Sequence, residues 1–277
     1  MEISRHIVFR QDEAPALAKY LNQAGISFTS GTICSLDILE SSPHWSYVAS
    51  CVEHRIAHNS VTQTLFSKEE LNSAEWLQVR SKWCYGYPQP EGTFNDETFT
   101  YNRESFCRKC GVGLIQKNPF LIKNPPKWGK RFFTQLNWIE DELFTNSVGK
   151  TLFETSSLSG VRFRDVLSFT NKTICDGIYQ LDITSLLSPS VVEQQRYVDN
   201  VQKCPCCGSY KYHPTGIGML ALYHDALREA PDIVKTAEYF GWGSGASHII
   251  LVRNSVYRSI MDKHIEKSLI FEPILLV

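Results

Sequence analysis

Residues 107–111 read Cys-Arg-Lys-Cys-Gly and residues 204–208 read Cys-Pro-Cys-Cys-Gly, with 93 residues between Cys110 and Cys204. A C-x-x-C pair followed by glycine is typical of a tight knuckle, because the glycine adopts the left-handed conformation that closes the turn and both thiolates then face one ion. Two knuckles provide four sulfur ligands at tetrahedral geometry and leave no coordination position for water. The sequence therefore predicts one structural Zn²⁺ held by Cys107, Cys110, Cys204 and Cys207.

Other interpretations of these cysteines stay open at this point. One pair could act as a thioredoxin-like redox centre, Cys206, His213 or His224 could replace a ligand, or the four thiolates could hold an iron–sulfur cluster. The chain has nine cysteines, an odd number that favours a metal site in a reducing compartment over a disulfide framework. The isolated residues Cys34, Cys51, Cys84 and Cys175 are predicted to be buried thiols.

Composition excludes several classes of protein. Hydrophobic residues at 43% and charged residues at 21% of 277 are ordinary for a folded globular chain. Lys plus Arg (28) nearly equals Asp plus Glu (29), so no overall field attracts nucleic acid, membrane or acidic substrates. The N-terminal MEISRHIVFRQDE is no signal peptide, and no segment approaches the roughly 20 apolar residues that span a bilayer. We expect a cytoplasmic protein without a membrane partner.

The N-terminal part mixes strand and helix patterns. Residues 3–9 predict a strand, the following APALAKYLNQAG predicts a helix, and a capping box at Ser67–Glu70 predicts a helix over EELNSAEWLQVR, residues 69–80. The Gly- and Pro-rich segment KWCYGYPQPEGTFND, residues 82–96, indicates a junction. The predicted domains are residues 1–92, 93–217 and 218–277.

Residues 143–166 align without gaps on residues 251–274, 108 positions later. The triplet Asn146-Ser147-Val148 matches Asn254-Ser255-Val256, and the apolar positions around it agree. Each copy predicts a strand, a helix with the Asn-Ser pair at its N-cap, and a second strand. The predicted fold class is α+β: an N-terminal strand-helix unit and a zinc-knuckle region with two related strand-helix-strand modules.

Three further segments carry candidate sites. Between residues 116 and 133, Lys127, Trp128, Lys130 and Arg131 combine cations with aromatic rings and form a candidate nucleic-acid site, although a solvated loop with inward-packed rings explains them too. The run Glu140-Asp141-Glu142 predicts a solvated surface. Gly241–Gly245 precedes an apolar run, the wrong order for a phosphate loop, and predicts a flexible connection or an exposed tryptophan loop. No catalytic residue is predicted.

The two knuckles, followed by IILVRNSVYRSIMD (249–262) and LIFEPI (269–274), resemble the double-CxxCG proteins of bacteria. The terminal unit is similar to one in immunity proteins of bacterial toxin systems, and the resemblance covers residues 105–277. It implies a non-enzymatic protein that neutralises a toxin by binding it, and it transfers residue by residue only to the four cysteines. The alternatives are a zinc-ribbon nucleic-acid-binding protein and an enzyme whose site is not recognisable from sequence.

Overall fold

The structure, a computed structural model, describes residues 1–91 and 99–277. Its contacts divide the chain into two compact units: Met1–Glu70 with Thr215–Gly218, and Leu71–Pro214 with Met219–Val277. The described part is a mixed α+β structure made mostly of strands, which confirms the predicted class. The junction predicted at residues 92 and 93 lies outside the described residues, and the two compact units have other bounds than the three predicted domains.

The first unit is a three-stranded antiparallel sheet with two helices. Its elements are β1 (Glu2–Arg10), α1 (Pro15–Gln23), β2 (Ile33–Leu39), α2 (Trp45–Glu53) and β3 (His58–Leu65), and the strand order is β2-β1-β3. Alternate side chains of β1 point inward, so Ile7 and Phe9 are buried, and α1 buries Leu17 and Leu21 at helical spacing. These side chains belong to one apolar core within this unit.

The capping box at Ser67 forms as predicted, but the helix that it opens is short. The Ser67 backbone N donates to Glu70 Oε2 at 2.7 Å, and the Glu70 backbone N donates to Ser67 Oγ at 3.2 Å. Helix α3 spans only Lys68–Ser73, and Trp76–Ser81 is strand β4. The predicted helix over 69–80 is therefore wrong in its second half, because β4 lies between two other strands and buries side chains on both of its faces.

The other elements belong to the second unit. In chain order they are β5 (Tyr101–Asn102), β6 (Ile115–Gln116), β7 (Leu121–Ile122), β8 (Phe133–Thr134), β9 (Leu143–Thr145), α4 (Ser147–Thr155), β10 (Arg162–Ser168), β11 (Ile174–Asp182), β12 (Val198–Lys203), β13 (Tyr210–Pro214), β14 (Leu220–Leu222), β15 (Ile233–Lys235), β16 (Tyr239–Phe240), β17 (Ile250–Arg253), α5 (Asn254–Asp262) and β18 (Leu269–Leu276). Short 3₁₀ helices lie at His224–Ala226 and Glu266–Ser268.

This unit contains two five-stranded sheets in which the strands at corresponding positions have the same relative directions. The first is β7-β10-β11-β9-β8 and the second is β14-β18-β4-β17-β15. In both, the central strand is antiparallel to its two neighbours, one edge strand is parallel to the strand beside it, and the other edge strand is antiparallel. One apolar cluster contains side chains of both sheets and of both α4 and α5.

Helices α4 and α5, which belong to the two aligned segments 143–166 and 251–274, differ at their N-termini. The Asn146 side chain accepts hydrogen bonds from the backbone N of Val148 and Gly149, both at 3.1 Å, so the predicted N-cap of α4 is confirmed. In α5 the N-cap residue is Arg253, and the Asn254 side chain instead donates to the carbonyls of Leu71 and Ala74. The N-cap prediction is wrong for Asn254 because its side-chain amide donates to those two carbonyls and does not cap α5.

Across residues 1–91 and 99–277, no helix has both the length and the apolar character that crossing a membrane requires.

Candidate metal centre

Both C-x-x-C-G motifs lie in the connections of β-hairpins. The first lies between β5 and β6, and the second lies between β12 and β13. Inside each knuckle the glycine N donates to the first cysteine carbonyl, from Gly111 to Cys107 at 2.8 Å and from Gly208 to Cys204 at 2.9 Å. Both glycines have a positive φ, +84° and +78°, so the sequence pattern produces two knuckles of the same geometry.

The four sulfur atoms lie within 4.8 Å of one another. Cys107 Sγ is 3.8 Å from Cys204 Sγ, and Cys110 Sγ is 3.5 Å from Cys207 Sγ. The structure thus brings together the four cysteines that the spacing predicted, two from each knuckle. In the described part of the chain this is the one group of at least three Cys, His, Asp or Glu side chains that can hold a metal ion.

The four thiols differ in environment. Cys110 and Cys204 are buried, Cys107 is half-buried and Cys207 is exposed. Burial raises the pKa of the Cys110 thiol to about 12, whereas hydrogen bonding to Ser209 lowers the pKa of Cys207 to about 6. Backbone hydrogen bonds from Cys207 and Cys206 also lower the pKa of Cys204. Because metals bind thiolates, Cys110 loses its proton when an ion binds.

The structure also places the residues of the competing interpretations. Cys206 is exposed and lies outside the sulfur cluster, as do His213 and His224. His213 is instead buried with its ring stacked 4.2 Å from that of Trp242. Neither C-x-x-C pair begins a helix, which a thioredoxin-like pair requires. Of the four isolated cysteines, three are buried as predicted, and Cys84 is exposed because it lies in the loop after β4.

The predicted nucleic-acid residues lie in the loop between β7 and β8. Lys127, Lys130 and Arg131 are exposed, while Trp128 is half-buried and donates from Nε1 to the Gly177 carbonyl at 2.9 Å. Trp83 and Tyr85, which no sequence pattern singled out, pack beside these residues. The Arg131 guanidinium stacks 4.4 Å from the Trp83 ring, and Trp83 packs against both Trp128 and Tyr85. We call Trp83, Tyr85, Lys127, Trp128, Lys130 and Arg131 the aromatic–basic surface.

One acidic residue that the sequence assigned to a solvated surface is buried. Glu142 Oε1 accepts from Lys235 Nζ at 2.6 Å, and Glu142 Oε2 accepts from Gln180 Nε2 at 2.9 Å. Burial raises the pKa of Glu142 to about 7, although Lys235 opposes this shift. The prediction is wrong here because Lys235 lies 93 positions away in sequence, where no local pattern reveals the pairing.

Compared with models of known protein families and with curated protein sequences, the chain matches neither a family nor an individual protein.

Proposed function

We propose that the four cysteines bind one Zn²⁺ with a structural role. Four sulfur ligands about 2.3 Å from a tetrahedral ion lie about 3.8 Å from one another, close to the 3.8 and 3.5 Å between the paired Sγ atoms. An iron–sulfur cluster requires wider spacing, because its inorganic core lies between the thiolates. Four thiolates around one ion leave no open position for a substrate or water, which supports a structural rather than a catalytic ion.

Elemental analysis of the purified protein tests this assignment. We expect about one zinc per wild-type chain, none after Cys107→Ser with Cys204→Ser, and a large loss of thermal stability in that variant. Cys206→Ser is the matched control, since Cys206 lies in the second knuckle but outside the sulfur cluster, and it keeps its zinc. A wild-type protein that contains no metal when purified under reducing conditions contradicts the assignment.

We further propose that the ion joins two copies of one repeat. The equivalent elements follow each other at similar intervals: 98 positions separate the first residues of β4 and β11, 97 separate Cys107 from Cys204, and 107 separate the first residues of α4 and α5. With this pairing of elements, the first copy begins with β4 and the second copy begins with β11. Since β4 is the central strand of the second sheet and β11 is the central strand of the first, each copy contributes its first strand to the sheet of the other.

For the whole protein we propose non-enzymatic binding of a partner protein through the aromatic–basic surface. Trp, Tyr and Arg are the side chains that contribute most binding energy at protein interfaces. The observation that carries the proposal is that Arg131 stacks on Trp83 and that Trp83 packs edge to face against Trp128, which orders these side chains before a partner arrives. Ordered side chains lose less entropy on binding. The exposed lysines of this surface favour an acidic partner.

The resemblance to immunity proteins makes a bacterial toxin our first candidate for this partner. The test is growth of cells that express a toxin encoded beside this gene, with and without this protein. We expect the wild type to restore growth and Trp83→Ala with Arg131→Ala to lose that effect. Arg228→Ala, which removes an exposed arginine paired with Asp225 away from this surface, is the control and restores growth. If the double variant protects as well as the wild type, the surface is the wrong one.

The same surface supports one alternative, binding of single-stranded nucleic acid. Cations beside rings that can stack on bases are typical of such sites. If Lys127, Lys130 and Arg131 each neutralise one phosphate, the logarithm of the affinity falls with the logarithm of salt concentration at a slope of about −2. Fluorescence anisotropy with a labelled oligonucleotide measures this slope. Replacement of all three residues by Ala then abolishes binding, whereas absence of binding at low salt excludes the alternative.

A further inference from the structure

The strand that follows the second knuckle carries a deeply buried cation. Lys211 in β13 is 2% exposed, and its ammonium group donates to the carbonyls of Cys110 at 3.0 Å, Gly243 at 2.5 Å and Gly245 at 3.0 Å. A lysine ammonium has three hydrogens to donate, and all three are used. Lys211 thus connects the first knuckle to the Gly241–Gly245 loop.

No carboxylate of the described residues balances the charge of Lys211. Among residues 1–91 and 99–277, no Asp or Glu side chain forms an ion pair with it. A buried charge without a partner is costly. Four thiolates around a divalent ion carry a net charge of −2, and Cys110, whose carbonyl accepts from Lys211, is one of the four ligands. If the site binds Zn²⁺ as proposed above, its net charge of −2 opposes the charge of Lys211.

The Gly241–Gly245 loop packs directly against the first knuckle. Phe240 and Ser247 exchange backbone hydrogen bonds of 2.8 and 2.9 Å, which hold the base of the loop closed, and Gly241 N donates to the Tyr212 carbonyl. A Cβ atom added to Gly111 would lie 2.0 Å from the Ser244 carbonyl oxygen. No side chain fits between the knuckle and the loop, and the exposure of Trp242 agrees with the prediction of an exposed tryptophan loop.

This loop occurs in only one of the two proposed copies. The first residues of β8 and β9 are 10 positions apart, whereas those of the equivalent strands β15 and β17 are 17 apart, and the additional residues include the loop. The loop of the second copy covers the knuckle of the first copy. In the described part of the chain, no loop covers the second knuckle in this way: Cys207 is exposed, and a Cβ on Gly208 would meet nothing within 4 Å.

We propose that Lys211 and the Gly241–Gly245 loop are the outer shell of the metal centre, fixing the first knuckle in its metal-binding geometry and neutralising part of the charge of the four thiolates. Lys211 is a positioning residue, because it acts on the metal through the backbone of Cys110 and not as a ligand. Residues of this kind commonly change metal affinity by 10- to 100-fold when they are replaced. The proposal rests on the metal site proposed above.

Two pairs of variants of the full chain test the outer shell. Lys211→Met removes the buried charge, and Lys203→Met is its control, because Lys203 is an exposed lysine on β12 near the second knuckle. Gly111→Ala displaces the loop, and Gly208→Ala is its control, because that glycine has nearly the same φ but open space around it. Any backbone strain from alanine is shared by the second pair, so a difference between its members reports on the loop.

The measurements are the zinc dissociation constant, from competition with a chromophoric chelator, and the absorption spectrum of the Co²⁺-substituted protein. We expect Lys211→Met and Gly111→Ala to bind zinc at least about 10-fold more weakly, with a shifted Co²⁺–thiolate spectrum, and both controls to stay within about twofold of the wild type. A merely structural role would lower the melting temperature and leave the affinity and the spectrum unchanged.

The outcomes separate the two proposals. The outer-shell proposal fails, and the metal site stands, if the wild type contains zinc and Lys211→Met binds zinc with unchanged affinity. The same conclusion follows if Gly111→Ala and Gly208→Ala bind zinc equally well. A wild type without metal overturns the metal site itself. If Lys211→Met does not fold, the two glycine variants decide the question, since both retain Lys211.

Discussion

Cutting the chain between the two proposed copies tests the exchange of their first strands. Residues 170–173 form the exposed turn between β10 and β11, and exposed turns of this kind tolerate an inserted protease site. Cleavage there leaves β4 in the N-terminal fragment and β11 in the C-terminal fragment. Each strand is the central strand of a sheet built mainly from the other fragment. We therefore expect the fragments to remain associated.

The buried side chains of the two strands give the size of the effect. Trp76, Leu77 and Val79 of β4 and Ile178 and Leu181 of β11 are at most 5% exposed. At about 1.5–3 kcal/mol for each side chain, they contribute roughly 7–15 kcal/mol, which is comparable to the roughly 4–15 kcal/mol that association costs. A structural zinc adds on the order of 10 kcal/mol. At the middle of these ranges the net binding free energy is about 12 kcal/mol, which exceeds the roughly 8 kcal/mol that corresponds to a dissociation constant of 1 µM.

Size-exclusion chromatography and thermal melting of the cleaved protein measure this association. We expect one species at about 1 µM in the presence of zinc, a melting temperature that rises with protein concentration, and a lower melting temperature after chelation. The uncut protein with the same insertion is the control, and its melting temperature does not depend on concentration. Fragments that elute separately with zinc present, or that melt independently of concentration, would refute the strand exchange.

Three smaller predictions concern single contacts and are read by chemical or thermal unfolding. Lys235→Met leaves Glu142 buried without its partner and lowers stability by about 3–5 kcal/mol. Because the pKa of Glu142 is already raised, the variant loses more stability as pH rises from about 5 to 8 and Glu142 becomes charged. Adding Glu142→Leu to the Lys235→Met chain restores part of the lost stability. Asn146→Ala removes the N-cap of α4 and costs about 1 kcal/mol, so no change would speak against that cap. Asn254→Ala leaves two backbone carbonyls without their donor and costs about 1–3 kcal/mol, and a loss no larger than that of an exposed alanine substitution in α5 would contradict this role.

Local chemistry explains which parts of the site could be predicted from sequence. The C-x-x-C-G spacing and the positive φ of its glycine determine each knuckle without help from the rest of the chain, so the four ligands follow from the motif. The capping box at Ser67 is equally local, and it forms. It indicates where a helix begins but not where it ends, and the pattern of Trp76–Ser81 suits a helix as well as a strand buried on both faces.

Long-range pairing explains what the sequence did not reveal. Strand β4 pairs with β17 and β18, more than 170 positions away, and no periodicity indicates which strands will be its neighbours. The alignment of residues 143–166 with 251–274 covers only the helix and two strands of each proposed copy, because short strands such as β7 and β8 carry too few residues for a recognisable pattern. Trp83 belongs to the aromatic–basic surface through tertiary contacts alone.

The two knuckles have the same internal hydrogen bonds, so the difference between them must come from what surrounds them. The first has a buried ligand at Cys110, a glycine in contact with the Ser244 carbonyl, and the buried ammonium of Lys211. The second knuckle also has a buried cysteine, Cys204, but its other cysteine, Cys207, is exposed. In the proposed arrangement, one of the two knuckles that bind the ion is covered by a loop and the other is partly exposed. Because the covering loop lies in the proposed second copy and packs on the knuckle of the first, it joins the same two copies that the proposed ion and the proposed strand exchange join.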